Sequence, residues 1–256
     1  MWSRASPFAL SRIRDRAIHL YMSPYIALVR NSVVPHGGAV TFKFSQSKGA
    51  FNRAIMKHQG TSGGVCNSLV AQWLLGRATG EALPNRLYPD GRRARLNSSV
   101  VGSLKALAIA GYEADHQDGL TARWLYEESG GRFYMGGYEA FEERTDDSGP
   151  GGMLNRILQK KIKNQEQFFK MISFHGRLVH HAVGIHISAH GGVTWFDPNF
   201  GEFHFPQEEQ FRRWFLDAYW LRSGYLWPVI GLARKFSVLS YVYLPNAPKA
   251  QYQSAR

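Results

Sequence analysis

Apolar positions along this chain follow two regimes, helical in spacing through most of the first 176 residues and alternating after them. Within residues 1–35, Ile13, Ala17, Leu20 and Tyr21 recur at helical intervals among arginines. That spacing predicts one or two basic amphipathic helices ending near Pro35, an N-terminal arm ahead of a main domain over 36–256. "AVTFKFS" at 39–45 alternates like a strand, and a Gly, Ser and Thr-rich stretch leads from it to Cys66. From there Leu69, Val70, Trp73 and Leu74 mark one face of a helix that starts close to the cysteine. Further helices are expected in "SSVVGSLKALAIAGY" and across "GGMLNRILQKKIKNQEQFFKMIS", where Ile157, Leu158, Ile162 and Phe169 form an apolar stripe. The polar, Gly-rich segment "ERTDDSGPGG" at 143–152 is the natural place for a lobe boundary.

The period changes to two in "RLVHHAVGIHIS", "VTWFD" and "SVLSYVYL", which predict antiparallel strands. "FPQEEQFRRWFLDAYW" opens on Pro and acidic residues and continues with aromatics at helical spacing, so a capped helix should pack on that sheet. Helices followed by an antiparallel sheet make the fold class α+β. A three-residue turn at Ala189–Gly191 would pair Ser188 with Gly192 and Val183 with Asp197. His181 then shares a face with Val183, Ile185 and Ile187, and becomes a diagonal neighbour of Asp197, about 7–8 Å away at the backbone. His180 and His186 point to the other face.

Composition narrows the class. The chain has 256 residues, 44% of them hydrophobic, enough for a substantial core without a staple. Its single cysteine permits no internal disulfide and no thiolate-rich zinc site. No run approaches the roughly 18 apolar residues of a spanning helix, and arginines interrupt the N-terminal apolar runs where a signal peptide would be continuous, so a soluble protein is expected. Lys+Arg exceed Asp+Glu by 31 to 19, a net charge of +12 that would attract an anionic membrane surface or an acidic partner. The basic clusters "RIRDR", "GRRAR", "KKIK" and "FRRWF" carry no nucleic-acid-binding signature, so no specific nucleic acid is expected. A basic binding module with an inert cysteine is the competing class, and its affinity would be salt-sensitive and indifferent to the thiol.

A lone cysteine is most simply a packing residue. Cys66, however, sits at the predicted tip of a helix, and a helix N-terminus plus a nearby histidine lowers a thiol pKa from about 8.5 to roughly 3.5–7.5. Gly63 and Gly64 beside it let a substrate carbonyl come close to the backbone, where the Cys66 amide could receive an oxyanion. Strand parity supplies a base in His181 and an orienting carboxylate in Asp197. No cofactor is called for, and His180, His186, His190 and His204 match no zinc-ligand spacing.

"GGVCNSLVAQWLL", "HHAVGIHI" and "WFDPNFGEF" resemble the YopT/AvrPphB-type cysteine proteases, effector peptidases of plant and animal pathogens and symbionts. The resemblance implies a papain-like fold, with Cys66 as nucleophile, His181 as base and Asp197 as orienting acid. Papain-like enzymes place a Gln or Asn ahead of the cysteine for the oxyanion, which nominates Gln59. It further implies a secreted effector, delivered into a host cell without a cleaved signal peptide, that hydrolyses a host signalling protein. The same three groups could instead serve an acyltransferase or a deamidase.

Overall fold

A computed structural model of the protein describes residues 24–55, 61, 65–91, 95–114, 117–141, 149–160, 162, 165–176, 180–227, 232 and 235–247. Among these, seven strands form one antiparallel sheet: β1 (Ala39–Phe42), β2 (Phe133–Phe141), β3 (Phe168–His175), β4 (His180–Ile187), β5 (Val193–Asp197), β6 (Gly201–Phe205) and β7 (Lys235–Tyr243). Their order across the sheet is β1-β6-β5-β4-β3-β7-β2, so the most buried strands lie in the middle and β1 and β2 at the edges. The β4–β5 register is the one the turn spacing predicts: Gly184 pairs with Phe196 and Ile187 with Val193, and the Ser188 amide donates to the Gly192 carbonyl.

Each face carries its own core. On one, α2 (Gly49–Ile55), α3 (Cys66–Thr79), α4 (Leu83–Leu87), α5 (Ser98–Ala114) and α6 (Gln117–Glu128) gather around Trp73, Met171 and Phe196. On the other, α1 (residues 24–31), α7 (Pro150–Leu158) and α8 (Glu208–Trp214) cover Val183, Ile185 and Trp195. Helices thus sandwich the sheet, an α+β arrangement with a cysteine-bearing helix on one face. Residues Asn67 through Gly76 of α3 are buried all round, as expected of a helix enclosed by other elements.

The structure corrects one expected element and adds others, α2, α4, α6, β2 and β6. The helix expected across 151–173 stops at Leu158, and Phe168–His175 is a central strand. Phe168, Ile172 and Phe174 face one core while Phe169 and Met171 face the other, so the strand shows no alternation that would separate it from a helix. β2 and α6 occupy a stretch in which the sequence announces no element. Pro150 to Gly152, at the end of the expected 143–152 boundary, are helical. Ile13, Ala17, Leu20 and Tyr21 lie outside the described residues, but Ile26, Val29 and Val33 farther along the predicted arm are buried in the core beneath α8.

Candidate active site

The nucleophile candidate is placed by one close contact. Gly184 of β4 lies directly beneath α3, where an added Cβ would sit 2.7 Å from the Trp73 ring. Its bare Cα lets the helix settle against the strand, and the half-buried Cys66 at the helix N-terminus comes to the start of β4, where His181 stands. The sulfur lies near the backbone amides of Ala182, beside that histidine, and of Asn67, both of which favour its ionised form. Asn67 is itself fixed, its Nδ2 donating to the Met171 sulfur at 3.3 Å and its Oδ1 accepting from the Thr121 hydroxyl.

The carboxylate comes from a turn. Asp197 ends β5, and Asp-Pro-Asn-Phe-Gly closes the hairpin to β6: the Phe200 amide donates to the Asp197 carbonyl, and the Asn199 amide donates to Asp197 Oδ1 at 2.8 Å. Gly201 completes the turn at φ 118°, in a conformation that favours glycine, with a Cβ there only 2.3 Å from the Phe42 carbonyl oxygen. The same Oδ1 accepts from His181 Nε2 at 2.9 Å. Asp197 Oδ2 accepts from two phenols, Tyr219 at 2.7 Å and Tyr225 at 2.9 Å. A fully buried carboxylate therefore meets four donors, which compensates the loss of water.

Tyr219 owes its aim to a π-helical turn over Phe215–Tyr219 that follows α8. One extra residue per turn shifts the phase of the aromatic series, so Phe215 still stacks on Trp220 while Tyr219 reaches the carboxylate. The helix begins as the sequence foresees, with Glu208 and Glu209 in its first turn and Gln207 and Gln210 in reciprocal capping contacts. The Tyr225 ring lies 5.2 Å from that of His181 and walls it from solvent.

These contacts set the protonation states. Burial pushes the Cys66 thiol up, but its hydrogen bond to His181, the charge on that ring and the two backbone amides outweigh burial and bring the thiol below its ordinary value. Burial likewise opposes charge on His181. The Asp197 carboxylate, by its charge and its hydrogen bond, wins with help from Cys66 and raises the imidazole to about 10. With Nε2 bonded to Asp197, Nδ1 is the ring nitrogen left for the sulfur. A lowered thiol beside a raised imidazole favours the thiolate–imidazolium form of the pair, the state that a cysteine nucleophile uses.

The structure thus brings Cys66, His181 and Asp197 into one row, with His181 hydrogen-bonded to Asp197, while Gln59, Gly63 and Gly64 lie outside the described residues. His180 faces away and meets His175 across the strands, Nδ1 to Nδ1 at 3.2 Å. His186 is held at the far end of α3 by Gln167 and Arg77. Tyr219, Tyr225, Asn199 and Gln46 are additions that periodicity could not supply. Asn199 alone had a signal, its place in the Asp-Pro-Asn turn.

Comparison with known proteins identifies the family. A family model described as Yersinia/Haemophilus virulence surface antigen matches residues 30–244. The chain is 37% identical over 252 residues to the cysteine protease YopT of Yersinia enterocolitica, an alignment covering 93% of this chain and 75% of that one. It is 35% identical over 243 residues to the protein adenylyltransferase and cysteine protease IbpA of Histophilus somni, covering 91% of this chain and 6% of that much longer one. Among solved structures, the Pseudomonas avirulence protein AvrPphB is 15% identical, with a TM-score of 0.47 over 69% of this chain and 90% of that one. Family model and curated relatives both span nearly the whole chain, which belongs to the Peptidase_C58 family and is a cysteine peptidase.

Proposed function

We propose that this peptidase cleaves a host protein through Cys66 as nucleophile, His181 as acid and base, and Asp197 as the group that orients the ring. The observation that carries the reading is the row itself: a thiol lowered by His181 at a helix tip, and an imidazole whose far nitrogen is fixed on a four-fold bonded carboxylate. The Cys66 thiolate attacks the scissile carbonyl carbon and its charge passes to the carbonyl oxygen, toward the amides at the helix N-terminus. As the C–N bond breaks, the His181 imidazolium gives its proton to the departing amine, leaving a thioester on Cys66. Water then attacks the thioester carbonyl, His181 takes its proton, and the acid product leaves as the thiolate is restored.

The protease names of the curated relatives favour hydrolysis over acyl transfer or deamidation. The family resemblance supports a host signalling protein as substrate and delivery into the host cell. A charge of +12 suits encounter with an anionic membrane surface, and among the described residues no helix is long and apolar enough to cross a membrane. Mass spectrometry of host proteins incubated with the wild type and with Cys66→Ala provides the test. A new chain terminus that appears only with the wild type supports the proposal. A mass change of one unit at a side-chain amide, or an added acyl group, with no new terminus, replaces it.

A further inference from the structure

Gln46 lies 20 residues before the cysteine, in the loop after β1, and is 7% exposed. Its Oε1 accepts from the Val65 amide at 3.2 Å, immediately before the nucleophile, and its Nε2 donates to Asn199 Oδ1 at 2.9 Å. Asn199 Nδ2 in turn donates to the Tyr225 hydroxyl at 3.1 Å, and that hydroxyl donates to Asp197 Oδ2 at 2.9 Å. Asp197 holds His181, which lies against the Cys66 thiol. The bonds run from the residue before Cys66 around to the histidine beside its thiol.

The polarity is uniform from Val65 as far as Asp197, which accepts from Tyr225 on one oxygen and from His181 on the other. Each amide offers its oxygen to the donor behind it and its N–H to the acceptor ahead, so from Val65 to the carboxylate all donors point the same way, and bonds so aligned strengthen one another. Three further hydrogen bonds brace the same pair of segments: the Gln46 amide donates to the Pro198 carbonyl at 2.7 Å, and Arg30 on α1 donates to the carbonyls of Phe200 at 2.7 Å and Phe44 at 2.6 Å. Val65 precedes the first turn of α3, where helix amides have no partner within the helix. Gln46 supplies one, and thereby ties the height of the helix tip to the turn that carries Asp197.

Building on the peptidase reading above, we propose that Gln46 is a positioning residue that sets the Cys66 helix tip in register with the Asp197 turn through Asn199 and Tyr225. It touches neither substrate nor sulfur and acts by holding the thiol and imidazole at bonding distance. A misplacement of about 1 Å in such a pair can cost about 10²-fold in rate. The near-isosteric Gln46→Met, which removes both polar contacts, should therefore lower kcat about 10- to 100-fold with KM within about twofold. It should also raise the pH midpoint of Cys66 alkylation by iodoacetamide by about half a unit or more, a response that loss of stability alone would not produce. Because the links act in series, Gln46→Met combined with Asn199→Leu should be no more than about threefold worse than the poorer single variant.

The alkylation profile needs no substrate, so it separates this proposal from the peptidase reading. An ordinary thiol in the wild type defeats the reading, whereas a lowered thiol pKa that is unchanged in folded Gln46→Met defeats the positioning role. Independent, multiplying losses in the double variant would also overturn it. Should the variants fail to fold, hydrogen exchange in the wild type decides. A protected Val65 amide supports the bond to Gln46, and exchange at the rate of an open helix end overturns it.

Discussion

Replacing Asp197 by Asn alters one atom, and the surroundings of that atom determine the outcome. With the amide oxygen in the Oδ1 position, His181 Nε2 and the Asn199 amide keep their acceptor. The NH2 group then faces the Tyr219 and Tyr225 hydroxyls, both of which donate to the carboxylate. Each hydroxyl must turn to accept, and its own hydrogen is left buried without a partner. At about 1–3 kcal/mol for each buried donor, the variant should lose about 2–6 kcal/mol of stability. Tyr219→Phe removes one of those hydrogens, so its effect should change sign with background: destabilising in the wild type, and restoring about 1–3 kcal/mol in Asp197→Asn. Urea unfolding at constant m-value measures both. In activity, the amide oxygen can still accept from an imidazolium, so Asp197→Asn should stay within about 10² of wild type while Asp197→Ala falls further. Its alkaline limb should move to lower pH, because the Asp197 charge is what raises His181 to about 10. Equal destabilisation by Tyr219→Phe in both backgrounds would refute the donor assignment. Folded Asn and Ala variants of equal inactivity would refute the orienting role.

Gly184→Ala should lower stability by about 1–3 kcal/mol and activity with it, since the new methyl meets the Trp73 ring and lifts α3 from β4; unfolding and alkylation rates measured together check this. His181→Ala should abolish turnover, whereas His180→Ala, on the opposite strand face, should keep most of it; equal loss in folded variants would contradict the register. Burial, then the charges of Arg77 and His204, hold His186 down at about 4, so between about pH 6.5 and 4 the unfolded chain binds a proton that the native state refuses. Stability should fall by up to about 3 kcal/mol as pH drops through that window, and His186→Gln should flatten the slope in urea titrations. His181 adds nothing there: with its native pKa raised, its contribution is complete below about 6.5 and fades as pH climbs toward 10.

The parts legible in the sequence are those whose signal is local. Cys66 heads an apolar helix, and His181 and Asp197 are joined by one hairpin whose turn fixes which side chains share a face. β3 is illegible for a physical reason: buried on both sides, it has apolar residues at odd and even positions alike. β2 lies at an edge with Tyr134, Met135 and Tyr138 exposed and two glycines inside it, so neither composition nor alternation marks it. The residues that surround Asp197 are hidden for another reason. Tyr219 and Tyr225 come from the segment after the hairpin and Gln46 from the loop after β1, and Tyr219 reaches its place through a π turn that breaks the helical period the sequence suggests.

All of the proposed chemistry rests on a thiolate at Cys66 stabilised by a charged His181, and the rate of Cys66 alkylation against pH reads that pair directly. Iodoacetamide modification of the wild type should titrate well below the ordinary thiol value of about 8.5, and the midpoint should rise in His181→Ala, where burial is no longer opposed by the imidazolium. A wild-type midpoint at or above about 8.5, or one that His181→Ala leaves in place, would contradict the ion pair.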